Sequence, residues 1–154
     1  MTTSTPQTDY LSDISDLPNF GYTLASRGER FGAVLLEGII IYLPLYLILG
    51  NNSLLYSDDV FDLSSLLSQT ALAAALGAIF YSLWSGNLGH KLLGLKVISS
   101  VDGSDQKKPA IGALREALKS FLGVLLIPSI WLLWDPNKQN LYDKIVKTIV
   151  VKKH

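Results

Sequence analysis

The sequence predicts an all-α membrane protein with two full transmembrane helices, a third hydrophobic segment that is bent or re-entrant, and a small β-paired cap on the cytosolic side. Three observations lead there. Two apolar runs, Phe31–Leu49 and Leu66–Trp84, are nineteen residues each, long enough to cross the hydrocarbon of a bilayer. A third stretch is shorter and interrupted by Pro128. Short β-branched segments, Leu95–Ile98 and Thr148–Val151, follow the exits of apolar runs. Composition agrees: 17% of the 154 residues are charged, against about 25% in soluble domains, and the mean hydropathy is +0.31.

Residues 1–21 read as a flexible polar tail, with a short helical turn expected at Tyr10–Leu17. They lack the basic and apolar regions of a secretory signal, so the first apolar run is expected to persist as an anchor. That first span covers about 30–49. Arg27, Glu29 and Arg30 lead into it, Gly50-Asn51-Asn52 stops it, and Pro44 invites a kink in its second half. The loop 51–64 contains Asp58, Asp59 and Asp62 and no basic residue. The second span covers about 66–84. Its Ala71, Ala74, Ala75, Gly77 and Ala78 permit close helix–helix approach. Tyr81 and Trp84 suit an interfacial belt, as do Trp131 and Trp134 further on.

The loop 85–110 carries Lys91, Lys96, Lys107 and Lys108, a strand-like Leu95–Ile98 and a turn signal at Asp102-Gly103. The bent segment, 111–134, has Arg115, Glu116 and Lys119 in its first turns. Its uncharged part, Ser120–Trp134, is fifteen residues, about 22 Å of helix against a hydrocarbon core of about 30 Å. The tail 135–154 holds five lysines and the β-branched Thr148–Val151, which is expected to pair with Gly94–Ile98 across a turn at Ser99–Gln106.

Loop charge sets the orientation. Four lysines in 85–110 and five in the tail place both on the cytosolic side, with the acidic loop 51–64 outside. Three complete spans would put the tail outside, so the third segment is expected to enter and return.

Three patches together resemble the RDD family of small bacterial membrane proteins, named for one arginine and two aspartates. They are Arg30-x-x-Ala33-x-x-x-Glu37, then Gly86-Asn87-Leu88-Gly89-His90-Lys91-Leu92-Leu93-Gly94-Leu95-Lys96-Val97 running into Asp102-Gly103, then Leu141-Tyr142-Asp143-x-x-x-x-Thr148-x-Val150. The resemblance covers 22–152. It implies a multi-pass protein of the bacterial cytoplasmic (inner) membrane, and a transport role has been suggested for some members. The chain departs from the family pattern at Glu37, where the family has aspartate, at Asn87, usually threonine, and at His90, where lysine is expected.

The candidate site is polar. Glu37 is the one charge in its run, and a carboxylate near the centre of a membrane helix costs about 2.5 to 3.5 kcal/mol on insertion scales, so it needs a partner. Arg30 lies two helical turns away, about 10 Å along the axis, so each residue is expected to pair elsewhere. Arg115, His90 and Lys91 are the candidates for Glu37, with Asn87 a further polar partner. Asp143 is expected to pair with Arg30, clamping the tail against the first helix. The glycines Gly86, Gly89 and Gly94 lack phosphate-loop spacing and read as backbone turning and close packing where the helix leaves the bilayer. His90 reads as an interfacial histidine, and Lys91 and Lys96 as lysines facing lipid headgroups.

The functional expectation is non-enzymatic. No nucleophile–base spacing stands out. The chain has no cysteine and two histidines, which removes thiolate sites and leaves too little for a histidine metal centre. No cofactor is expected. Thirteen basic and thirteen acidic residues give nucleic-acid binding no support. The leading expectation is a membrane packing or assembly module whose partners are the lipid bilayer and either further copies of the chain or another membrane protein. The alternative is an oligomeric proton-coupled cation transporter, with a proton or monovalent cation passing Glu37.

Overall fold

The structure is a computed structural model that describes residues 21–49, 57, 59, 62–123, 127–136 and 138–153. The expected turn at 10–17 and most of the acidic loop lie outside those residues. The element order is β1 (Tyr22–Leu24), α1 (Arg27–Glu37), a π-helical turn (Gly38–Tyr42), α2 (Leu43–Leu49), α3 (Leu63–Trp84), α4 (Leu88–Leu92), β2 (Leu95–Ser99), α5 (Pro109–Gly123), α6 (Ile127–Trp134), α7 (Leu141–Ile145) and β3 (Thr148–Lys153).

Both α1 and α3 begin at a side-chain cap. Ser26 Oγ accepts from the Glu29 N–H at 3.1 Å, and the Glu29 carboxylate accepts from the Ser26 N–H at 2.9 Å, satisfying two donors that the first helical turn leaves open. From Arg27 the helical run continues to Leu49, interrupted only by the π-helical turn. There the Leu43 N–H reaches back five residues to the Gly38 carbonyl. Pro44 has no N–H to give the Ile40 carbonyl and its ring crowds that oxygen, so a widened turn just before it absorbs the misfit. Asp62 caps α3 by accepting from the N–H groups of Ser64 and Ser65 at 3.3 and 3.1 Å. Ser85, with φ of 63°, ends α3, and Asn87 opens α4.

Two helical stretches, Arg27–Leu49 and Leu63–Leu92, are long and apolar enough to cross a membrane by length and composition. Much of their surface is bare: Leu47 is 71% exposed and Ile48 79%. The third hydrophobic segment is two shorter helices, α5 of fifteen residues and α6 of eight, roughly 22 and 12 Å long.

Glycine sets how closely the helices meet. A Cβ on Gly77 of α3 would lie 2.4 Å from the Gly112 carbonyl oxygen of α5, and one on Gly112 would lie 2.5 Å from Tyr81. A Cβ on Gly89 of α4 would lie 1.9 Å from the Ala33 carbonyl oxygen of α1. These contacts hold backbones at a distance that alanine would forbid.

At one end of the helices lies a three-stranded antiparallel sheet in the order β1-β3-β2. Val97 faces Val150 across β2–β3, as the expected pairing of these segments requires, and Thr23 faces Lys152 across β1–β3. Side chains alternate in the way of strands: Leu95, Val97 and Val150 join Ala25, Ala33 and Tyr81 in one cluster, while Ile98, Ile149 and Val151 form another with Tyr22 and Leu24. An all-α description therefore needs correction. The protein is mostly helical with a small sheet of three strands where two were expected. At three residues, β1 is too short for an alternating pattern to show.

Candidate functional site

Where the sheet meets the helices, six ionisable side chains come together out of solvent. Arg30 of α1 donates from Nη1 to Asp143 Oδ2 at 3.0 Å and from Nη2 to the Val150 carbonyl at 3.3 Å. Asp143, fully buried, also accepts from Arg115 Nε at 2.7 Å, from Thr148 Oγ1 at 3.3 Å and from the Asn140 N–H at 3.3 Å. Arg115 continues the chain of contacts, donating from Nη1 to Tyr81 OH at 2.7 Å and to Glu116 Oε1 at 3.0 Å. Its guanidinium lies 4.9 Å from the centre of the Tyr142 ring, a distance at which the ring's quadrupole attracts a cation.

A second arm reaches Glu37. Lys119 Nζ lies 2.6 Å from Glu37 Oε2 and also pairs with Glu116. Asn87 Nδ2 donates to the same Glu37 oxygen at 2.7 Å. The network joins three cations, Arg30, Arg115 and Lys119, to three carboxylates, Glu37, Glu116 and Asp143. Charge thus balances inside a space from which water is largely removed, the condition under which buried ions are tolerated.

Local structure accounts for each position. Arg115 and Lys119 are four residues apart on α5, hence on one face, and Glu116 lies three before Lys119. Asn140 is the N-cap of the five-residue helix α7, and Asp143, the helix's third residue, accepts from the Asn140 N–H as a capping box requires. One carboxylate therefore both caps a helix and binds two arginines. Asn87 likewise does two things: Oδ1 accepts from the His90 N–H at 2.9 Å while Nδ2 holds Glu37. His90 is buried, and its Nδ1 accepts from the Asn87 N–H at 3.3 Å.

Several sequence expectations meet this geometry directly. Arg30 and Asp143 pair, and Asn87 binds Glu37. Gly89 is a contact point between helices, Gly94 takes a left-handed φ of 67°, and a Cβ on Gly86 would lie 3.1 Å from the His90 side chain. Other expectations need correction. Glu37 takes none of Arg115, His90 or Lys91 as its direct partner. Arg115 is held by Asp143, His90 serves the cap of α4, and Lys91 is exposed. The cation that reaches Glu37 is Lys119, one turn beyond Arg115 on the same face. Lys96 is paired with Asp105 at 2.8 Å, a hydrogen bond that raises the pKa of its ammonium.

Tyr81, Glu116, Lys119 and Tyr142 were not singled out as site residues by the sequence. Three charges spaced i, i+1 and i+4 at the head of an apolar segment were the available signal for Glu116 and Lys119. Burial drives the Tyr142 phenol up to about 12, with Arg115 pulling the other way, so it stays a neutral hydrogen-bonding group. Among the described residues no three His, Cys, Asp or Glu side chains gather as a metal site would require.

Two long apolar helices, a capping sheet and a charge-balanced buried network fit a small membrane protein. The RDD family model matches residues 24–147, and the chain belongs to the RDD family. No curated protein and no solved structure matched in the corresponding comparisons. The matched region ends just before β3, so the strand that completes the sheet lies beyond it.

Proposed function

We propose that this chain is a multi-pass module of the bacterial cytoplasmic membrane that acts by assembly, with further copies of itself or with another membrane protein, and not by catalysis. In this reading about 30–49 and 66–84 span the bilayer. Residues 51–64 lie outside, 85–110 and 135–154 are cytosolic, and α5 and α6 enter and return. The observation that carries the topology is the sheet. It joins the segment before α1, the segment after α4 and the tail, which supports putting all three on one side. Neither α5 nor α6 approaches the roughly 30 Å of a hydrocarbon core. The assembly role is supported by ion pairs closed within the chain beside helix faces that remain apolar and bare.

Sidedness tests the topology. With cysteines placed singly at Ser57, Ser104 and Lys153 in this cysteine-free chain, an impermeant thiol reagent should label 57 from outside and leave 104 and 153 protected. Labelling of both 57 and 153, with 104 protected, would mean three full spans. Assembly is checked by the mass of the purified protein in nanodiscs, where a lone monomer without a co-purifying membrane partner would count against it.

A second reading, an oligomeric proton-coupled cation transporter, draws on Glu37, which borders a cleft while pairing with Lys119. Ion flux into proteoliposomes that disappears in Glu37→Gln with the fold intact would establish it; absence of flux in the wild type would remove it.

A further inference from the structure

Beside the buried network the fold leaves a cleft of about 770 Å3, within the roughly 300–1,000 Å3 range of ligand sites. One wall is a stripe along the first helix, Arg27, Phe31, Val34, Gly38 and Tyr42, recurring every three or four residues. From Arg27 to Tyr42 the stripe runs about 22 Å along the axis, the depth of one bilayer leaflet with its headgroups. Leu132 and Leu133 of α6 line it from the other side. The cleft is therefore basic where the helix begins and largely apolar further along. The Glu37–Lys119 pair borders it, but those charges already face each other, Asn87 and Glu116.

At the basic end two groups are unmatched. Arg30 Nε has no hydrogen-bond partner, although Arg30 is only 3% exposed. Arg27 donates Nε to the Leu132 carbonyl at 3.1 Å, and among the described residues no carboxylate forms an ion pair with it. The buried network is balanced without Arg27, so its charge is an excess beside a buried donor that lacks an acceptor. An anion with several acceptor oxygens answers both, and a phosphodiester carries one negative charge with such oxygens.

We propose that this cleft binds one anionic phospholipid of the cytoplasmic leaflet, its phosphate at Arg27 and Arg30 Nε and one acyl chain along Phe31, Val34 and Tyr42. The proposal rests on the membrane reading above, with the start of the first helix at the cytosolic interface. A zwitterionic lipid is disfavoured because its ammonium would approach the uncompensated Arg27.

The test uses the full chain in mild detergent. Native mass spectrometry with equal phosphatidylglycerol and phosphatidylethanolamine should show one phosphatidylglycerol retained per chain, preferred about tenfold, and phosphatidylglycerol alone should raise Tm. Arg27→Gln, at an exposed position, should cut that preference about fivefold, the scale of one basic residue's attraction to anionic lipid. Gly123→Leu, at a cleft position where a Cβ meets nothing within 4 Å, should reduce retention of the lipid while leaving the lipid-free Tm unchanged. Equal retention of the two lipids, or full preference in Arg27→Gln, would overturn the proposal. Stabilisation by glycerol phosphate equal to that by the lipid would assign the basic end to a soluble anion and overturn it too. A chain that stays monodisperse without detergent would defeat the membrane reading itself, a result distinct from lost selectivity in micelles.

Discussion

Asp143 ties the tail to both arginines of the buried network. It accepts from Arg30, Arg115, Thr148 and the Asn140 N–H, so removing it leaves buried Arg30 without its carboxylate and Arg115 with Glu116 alone. Removing Arg30 leaves Asp143 still bound to Arg115. Breaking a buried ion pair by deleting one partner costs about 3–5 kcal/mol. Asp143→Ala is therefore expected to destabilise more than Arg30→Ala, and the double variant to cost little more than Asp143→Ala alone. Denaturant unfolding in detergent measures all three, and additive losses would show that the pair does not act as a unit. Lys119 poses the same question for the second arm. It bridges Glu37 and Glu116, so Lys119→Met leaves two buried carboxylates without their shared cation, whereas Glu37→Gln keeps an acceptor for Asn87 and leaves Lys119 paired with Glu116. Lys119→Met should lower Tm well beyond Glu37→Gln, and equal losses would contradict the bridging role.

Among the elements, glycine contacts decide the spacing. Gly89→Ala must displace the Ala33 carbonyl from 1.9 Å, and Gly77→Ala the Gly112 carbonyl from 2.4 Å. Neither obstacle is a side-chain tip that can swing away, so each should cost about 1–3 kcal/mol or more. Gly38→Ala meets nothing within 4 Å and should be close to neutral in the same Tm measurement, a control for the general effect of glycine replacement. The Val97–Val150 register predicts that cysteines at these positions cross-link under mild oxidation, while a shift of one residue on either strand, which turns a side chain to the other face, should not. The long apolar runs and the β2–β3 pairing were legible because each rests on local pattern. Gly112 and Lys119 were not, because their importance comes from which helix lies opposite. Arg115 and Lys119 share a face of α5, and no local rule says which of the two meets Glu37 until α1 and α5 are placed.

For the whole molecule, the last strand joins what the helices alone leave separate. The sequence paired β3 with β2 correctly, yet β3 is the central strand, with β1 on its other edge. That position was hidden because a three-residue strand carries no readable alternation. From the centre β3 does more than pair backbones. Its Val150 carbonyl accepts from Arg30, its Thr148 hydroxyl donates to Asp143, and the Thr148 carbonyl accepts from Gln139. Val150 and Ile149 also belong one to each hydrophobic cluster. Truncation after Lys147 would therefore open both strand pairings, expose parts of both clusters and loosen the Arg30–Asp143 pair in one step, although every residue matched by the family model remains. The truncated chain is expected to lose cooperative unfolding in detergent and to become protease-sensitive in 85–110, since β2 would have no strand to pair with. Truncation after Lys152 removes only the end of β3 and should leave Tm nearly unchanged. If the chain ending at Lys147 unfolded at the full-length Tm, the helices would be self-sufficient and the sheet an accessory to the buried network, not the part that closes it.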